Sequence, residues 1–141
     1  MTNGPAAPSA ILESALYAED LERAEAFYGG ILGLEKIVAV EGRHVFFRCG
    51  AGVLLIFNPQ ATREPSTNAD MPVPPHGTIG QGHLCFSASA DEIDGWVMHL
   101  AANGVAIEAD FHWPNGGRSI YFRDPAGNSL EFAEPKLWGL E

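Results

Sequence analysis

The chain is predicted to fold as an α+β domain: two βαβββ modules whose strands form a curled mixed sheet around a central cleft, with the helices outside. Three observations predict this. Each half of the chain has one stretch of helical periodicity, with a strand-like run before it and three after it. A long polar connection separates the halves. The segment GRHVFFRCGAGVLLIF, Gly42 to Phe57, lies without a gap on GRSIYFRDPAGNSLEF, Gly117 to Phe132, and half of the positions are identical. A repeated unit too small to bury its own sheet face implies two modules related by a pseudo-twofold axis.

The elements follow in order. Residues 1–10 (MTNGPAAPSA) lack periodicity and are rich in small side chains, so they read as a mobile arm. Ile11 to Ala18 reads as a strand. Asp20 stands at an N-cap position, and Leu21, Ala24, Phe27, Tyr28, Ile31 and Leu32 recur at helical spacing until Gly33. Glu35–Val40, Arg43–Cys49 and Val53–Asn58 are three strand-like runs divided by turn residues, completing module one over 11–58. The Pro-rich stretch 59–81 shows no element of its own and is expected to be a linker or a functional cover. Module two, over 82–135, opens with a strand from His83 to Ser87. Ser89-Ala90-Asp91-Glu92 then matches a capping box before Ile93, Trp96, Val97, Leu100 and Ala101. Asn103-Gly104 ends that helix, and strands are expected at Val105–Ala109, Arg118–Arg123 and Ser129–Ala133. Residues 136–141 form a short tail, apolar for a chain end.

Composition excludes several function classes. The 141 residues are 46% hydrophobic and 18% charged, enough to build one core. Eight basic against 18 acidic residues give a formal charge of −10, which repels a phosphate backbone and an anionic membrane, so neither nucleic acid nor membrane is expected as a partner. No apolar run approaches the ~20 residues of a membrane span, and the start lacks the order of a secretory signal; a cytoplasmic protein is expected. Cys49 and Cys85 fall in strand-like runs and are expected to be buried free thiols.

Overlay of the modules singles out four positions. Glu13 pairs with His83, each on the first strand of its module, and Ile56 pairs with Glu131 in the ungapped repeat. Glu13, His83 and Glu131 are all able to ligate a divalent cation, and pseudo-symmetry is expected to bring them together. A carboxylate within Ser129-Leu130-Glu131-Phe132-Ala133 is costly to bury unless something pairs with it. The overlay also points at the cleft lining: Ser119, Tyr121 and Arg123 beside Glu131, their module-one counterparts His44, Phe46 and Arg48, and Tyr17 on the Glu13 face. His44 and Arg48 suit an anionic substrate group. Trp113, in the bulky Phe111–Gly117 segment, is expected to be a lid or pocket wall. His76 reads as a loop residue.

The blocks ALYAEDLERAEAFYGGILGLE, GQGHLCFSASA and YFRDPAGNSLEF resemble the vicinal oxygen chelate superfamily, which includes glyoxalase I, fosfomycin-resistance transferases, extradiol dioxygenases and bleomycin-resistance proteins. The resemblance covers Ile11 to about Pro135 and implies the glyoxalase/bleomycin resistance/dihydroxybiphenyl dioxygenase fold. It also implies metal positions at Glu13, Ile56, His83 and Glu131. Two departures narrow the chemistry. Glu13 replaces the His many relatives carry, and Ile56 stands where glyoxalase I has a fourth ligand, leaving a three-ligand, open-sided site. Such a Glu-His-Glu set is hard and suits Mg²⁺, Mn²⁺ or Zn²⁺, while Fe²⁺ usually takes two His and one carboxylate.

The resemblance thus implies one divalent metal ion, chelated by two neighbouring oxygens of a small metabolite or xenobiotic. Glyoxalase-like lyase or isomerase chemistry, thiol transfer and dioxygenase-type chemistry all remain open. Glu13 is the expected base, and Tyr121 falls where fosfomycin-resistance relatives have an active-site Tyr. The alternative is a non-catalytic protein that sequesters a drug or metabolite, as bleomycin-resistance proteins do. Relatives pair their modules within a chain or across a dimer; a homodimer is expected here.

Overall fold

A computed structural model describes residues 4–140. The first three residues of the expected arm and the last residue of the expected tail lie outside the described residues. Module one comprises β1 (Glu13–Tyr17), α1 (Leu21–Glu25), β2 (Glu35–Val40), β3 (His44–Cys49) and β4 (Gly52–Phe57). Module two comprises β5 (His83–Ser87), α3 (Ala90–Ala102), β6 (Ala109–His112), β7 (Arg118–Arg123) and β8 (Ser129–Ala133), and α2 (Pro59–Thr62) lies in the connection. The fold is therefore α+β and twice βαβββ. Each module makes its own four-stranded mixed sheet, β1-β4-β3-β2 and β5-β8-β7-β6, with one parallel pair at β1–β4 and at β5–β8. The two sheets are not joined by hydrogen bonds.

Local chemistry accounts for the element ends. The Asp20 carboxylate accepts from the Arg23 N–H and caps α1. Beyond Glu25 the chain continues as a π-helical segment, Ala26–Ile31, through Gly29 and Gly30. Ser89 and Glu92 form both halves of a capping box on α3. Two expectations shift. The strand expected at Val105–Ala109 starts only at Ala109 and runs to His112, and the connection holds the one-turn α2, whose N-cap Asn58 accepts from the Gln60 N–H.

The pleat divides each sheet into two faces. Leu16, Val45, Phe47, Leu54 and Ile56 from module one join Ile120, Phe122, Leu130 and Phe132 from module two in one hydrophobic core with Phe27, Tyr28, Ile93 and Leu100. The segment after α1 reaches both sheets: Tyr28 packs on Phe47 at 5.9 Å and Phe27 on Phe122 at 6.3 Å between ring centroids.

The modules are tied by a buried polar hub in the β7–β8 turn. Asp124 accepts from the Tyr28 hydroxyl at 2.7 Å, the Ala126 and Asn128 N–H groups at 2.9 Å each, and the Asn128 side-chain amide at 2.9 Å. Asn128 in turn donates to the Tyr17 carbonyl and accepts from the Gly82 N–H. A Cβ at Gly82 would meet Leu16 Cδ2 at 2.9 Å, so a larger residue there requires the Leu16 side chain to shift. Burial, reinforced by the negative charge of Asp124, pushes the Tyr28 phenol far above its ordinary range, so it stays a donor. Tyr28→Phe deletes one buried hydrogen bond while Asp124 keeps three others. The expected loss is about 1–2 kcal/mol in urea unfolding, and a change below about 0.3 kcal/mol contradicts the hub.

Candidate functional site

Glu131 is the centre of the module-two site. It stands on β8 between core residues Leu130 and Phe132, so the pleat turns it to the opposite face, where it is 5% exposed. Its register partners are Tyr121 on β7 and Cys85 on β5, which share that face. The Ser119 hydroxyl donates to Glu131 Oε2 at 2.5 Å, and the Trp113 indole N–H donates to Ser119 Oγ at 2.8 Å. This chain fixes one carboxylate oxygen.

The other oxygen faces His83. Glu131 Oε1 lies 3.4 Å from His83 Nε2, and the imidazole is half exposed. His83 Nδ1 is 3.0 Å from the Ser129 carbonyl. A carbonyl only accepts, so Nδ1 carries the proton and the Nε2 lone pair is aimed at Glu131. Two acceptors facing each other across 3.4 Å repel unless they share a cation, either a second proton on the ring or a metal ion. A His whose remote nitrogen donates to a backbone carbonyl while the other nitrogen meets a carboxylate is the arrangement metal sites use to fix the ring. The donors present thus fit a divalent cation.

Tyr121 stacks on His83 at 6.2 Å and on Phe111 at 6.0 Å, and Phe111 packs edge-on against Trp113 at 4.8 Å. The Tyr121 phenol is pushed up to about 12, by burial first and then by the Glu131 charge. The Cys85 thiol is also raised to about 12 by burial, then by Glu131. The Cys85 residue nonetheless opens to solvent along the site face, a correction to the buried thiol expected from the sequence, and Cys49 is half-buried. Its place two residues after His83 on a strand was a legible signal.

Glu13 is not beside these groups. Among the described residues no three His, Cys, Asp or Glu side chains come together as a metal site. Glu13 instead lines a cavity of about 920 Å³ on the outer face of the module-one sheet, and every residue lining that cavity falls between positions 12 and 76. His44, Phe46, Leu55 and Phe57 form its floor, and segment 61–73 covers it. His76, expected as a plain loop residue, also lines it, with Nδ1 2.7 Å from the Tyr17 hydroxyl. Burial, then the charge of Arg43, lowers the His44 imidazole below its ordinary range.

The register places the fourth position differently from the ungapped repeat. Arg48 pairs with Val53 across the four residues Cys49–Gly52, whereas Arg123 pairs with Ser129 across the five residues Asp124–Asn128. One extra residue shifts the last strand by one, which exchanges faces. Leu55 is therefore the counterpart of Glu131, and Ile56 is fully buried in the core. Neither side chain is a ligand. The two arginines on the expected lining are already engaged, Arg123 with Glu108 at 2.7 Å and Arg48 with Glu35 at 3.4 Å.

Residues 10–132 match the family model of the Glyoxalase/Bleomycin resistance protein/Dioxygenase superfamily. The chain is similar to a solved structure of lactoylglutathione lyase from Agrobacterium tumefaciens, with 48% identity, a TM-score of 0.88, and coverage of 96% of this chain and 100% of that one. It also resembles a glyoxalase/bleomycin resistance protein/dioxygenase from Nocardioides at 25% identity and a TM-score of 0.71, covering 92% of this chain and 85% of the other. No curated protein sequence matches. No helix among the described residues is long and apolar enough to cross a membrane.

Ser119→Ala removes the hydroxyl that joins Trp113 to Glu131. Both partners are then left short of a hydrogen bond in a site that is fully buried at position 119. Urea unfolding is expected to show a loss of about 1–3 kcal/mol, together with a shift in tryptophan emission; unchanged stability and emission contradict the relay.

Proposed function

The chain belongs to the Glyoxalase/Bleomycin resistance protein/Dioxygenase superfamily, and on that premise we propose that it is a metal-dependent enzyme of the vicinal oxygen chelate type. The observation that carries the reading is the His83–Glu131 pair, whose Nε2 and Oε1 face each other with their other donors and acceptors already committed. His83 and Glu131 would hold the cation from one chain. The third ligand we assign to Glu13 of the partner subunit in a homodimer, because Glu13 in its own chain lies on the other sheet. When bound, the cation supplies Lewis-acid stabilisation of charge developing on a substrate oxygen.

The residues around it have separable parts. Ser129 fixes the His83 ring through its carbonyl, and Ser119 with Trp113 holds the Glu131 carboxylate at one angle. Tyr121, protonated at neutral pH, donates a hydrogen bond to a substrate oxygen on the same face. Glu13 of the partner subunit would serve as the base for a substrate held on this face. The similarity to a lactoylglutathione lyase favours lyase or isomerase chemistry over oxygen insertion, as does a carboxylate-rich donor set. The large apolar cavity supports a second reading, a protein that only sequesters its ligand.

Complementation between subunits tests the proposal. The parent protein is expected to bind about one Mn²⁺ per chain, and Glu13→Ala and Glu131→Ala each to bind none. Refolding the two variants together in equal amounts is expected to restore about a quarter of the sites, since half of the dimers are mixed and each mixed dimer has one intact site. No restoration places Glu13 in the same chain as His83, and no Mn²⁺ or Zn²⁺ binding by the parent favours the sequestering protein.

A further inference from the structure

The cavity on the module-one sheet has a chemistry of its own. Its floor is aromatic: the His44 and Phe46 rings are stacked at 4.0 Å with 10° between their planes, and Phe57 meets both edge-on, at 5.9 and 5.4 Å. His76 closes against Phe57 edge-on at 4.6 Å, held by Tyr17. Its cover is largely apolar where Ala61, Pro65, Met71 and Val73 face it. Flat walls of this kind favour a flat ring, which gains stacking and edge contacts beyond simple burial.

Polar groups in the cavity are few and uneven. His44 Nδ1 is buried without a hydrogen-bond partner, which a cavity occupant is placed to supply. Arg43 is the only Lys or Arg in the lining. Of the eight basic side chains, Lys36, Arg48, Arg118, Arg123 and Lys136 pair with carboxylates; among the described residues Arg23, Arg43 and Arg63 do not, and of these three Arg43 alone lines the cavity. Arg43 adjoins His44 in sequence, and both line the same cavity. Glu13 and Glu64 also line the space and repel any second anionic group. On the module-two face Arg118 and Arg123 are both held by acids, so neither supplies a further free cation.

We infer that this cavity receives a flat aromatic molecule bearing a single carboxylate, the ring on His44 and Phe46 and the carboxylate on Arg43, and that it rejects polyanionic glutathione conjugates. The inference rests on the proposed function in taking this cavity as the substrate side of the same site. It sets the substrate class apart from that named for the lyase of 48% identity.

Calorimetric titration of the intact protein with trans-cinnamate, its neutral counterpart cinnamyl alcohol, and S-hexylglutathione tests it. Cinnamate is expected to bind, and S-hexylglutathione to bind at least about tenfold more weakly. Arg43→Gln is expected to weaken cinnamate about tenfold or more while leaving cinnamyl alcohol within about twofold, since a charge-assisted contact is lost from one ligand only. Phe46→Ala weakens both. Cinnamate affinity indifferent to Arg43→Gln, or S-hexylglutathione bound more tightly than cinnamate, overturns the inference. Should a variant not fold, the parent still decides: raised salt has to weaken cinnamate and spare the alcohol. Cinnamate binding without Mn²⁺ binding leaves this inference standing and removes the metal enzyme, whereas Mn²⁺ binding without cinnamate does the reverse.

Discussion

Asp124 lies 5% exposed in the β7–β8 turn, and its carboxylate accepts four hydrogen bonds from groups that belong to both modules or to the turn itself. A buried carboxylate without such partners would be strongly destabilising, so the turn and the Tyr28 side chain are mutually required. Asn128 extends the network to the end of β1 through the Tyr17 carbonyl and to the start of β5 through the Gly82 N–H. The two sheets share no ladder, and this hub with the common apolar core is what fixes one module against the other.

The same turn decides the chemistry on β8. It is one residue longer than its counterpart between β3 and β4, and a one-residue slip exchanges the faces of a strand. Glu131 thereby faces outward beside Tyr121 and Cys85, and the equivalent place in module one is taken by Leu55. The two repeated modules thus differ: one carries metal-type donors and the other an aromatic cavity. Within one chain the two halves stand on separate faces: His83 and Glu131 face each other on module two, and Glu13 lines the cavity of module one.

Electrostatics reinforces the division. With a formal charge of −10, most cations of the chain are consumed in pairing with nearby acids, and Arg118 alone contacts both Asp94 and Asp110. Arg43, the one Lys or Arg that lines the cavity and outside every ion pair among the described residues, consequently weighs more in what the cavity accepts than a count of arginines suggests. Glu131 has the opposite role: its charge, after burial, holds the Tyr121 phenol and the Cys85 thiol protonated, so the face offers donors rather than nucleophiles at neutral pH.

Local signals in the sequence were sufficient for the fold. The Asp20 cap, the Ser89–Glu92 box and the period-two runs act over a few residues and determine β2, β5, β7 and β8 to the residue, and the repeat reveals the two-module plan. The resemblance in Asp124-Pro125-Ala126-Gly127 marked the turn that proves to be the hub. His83 and Glu131 were also legible as a pair, because parallel β5–β8 pairing follows from the βαβββ order. Tertiary structure alone decided which face each donor occupies and with whom: the extra turn residue displaced Ile56 in favour of Leu55, Ser119 became a link between Trp113 and Glu131, Arg48 and Arg123 were taken up by acids, and Glu13 was separated from its expected partners. Pattern and propensity are local, whereas register, ion pairing and the mating of faces depend on groups distant in sequence, and only the folded chain brings those together.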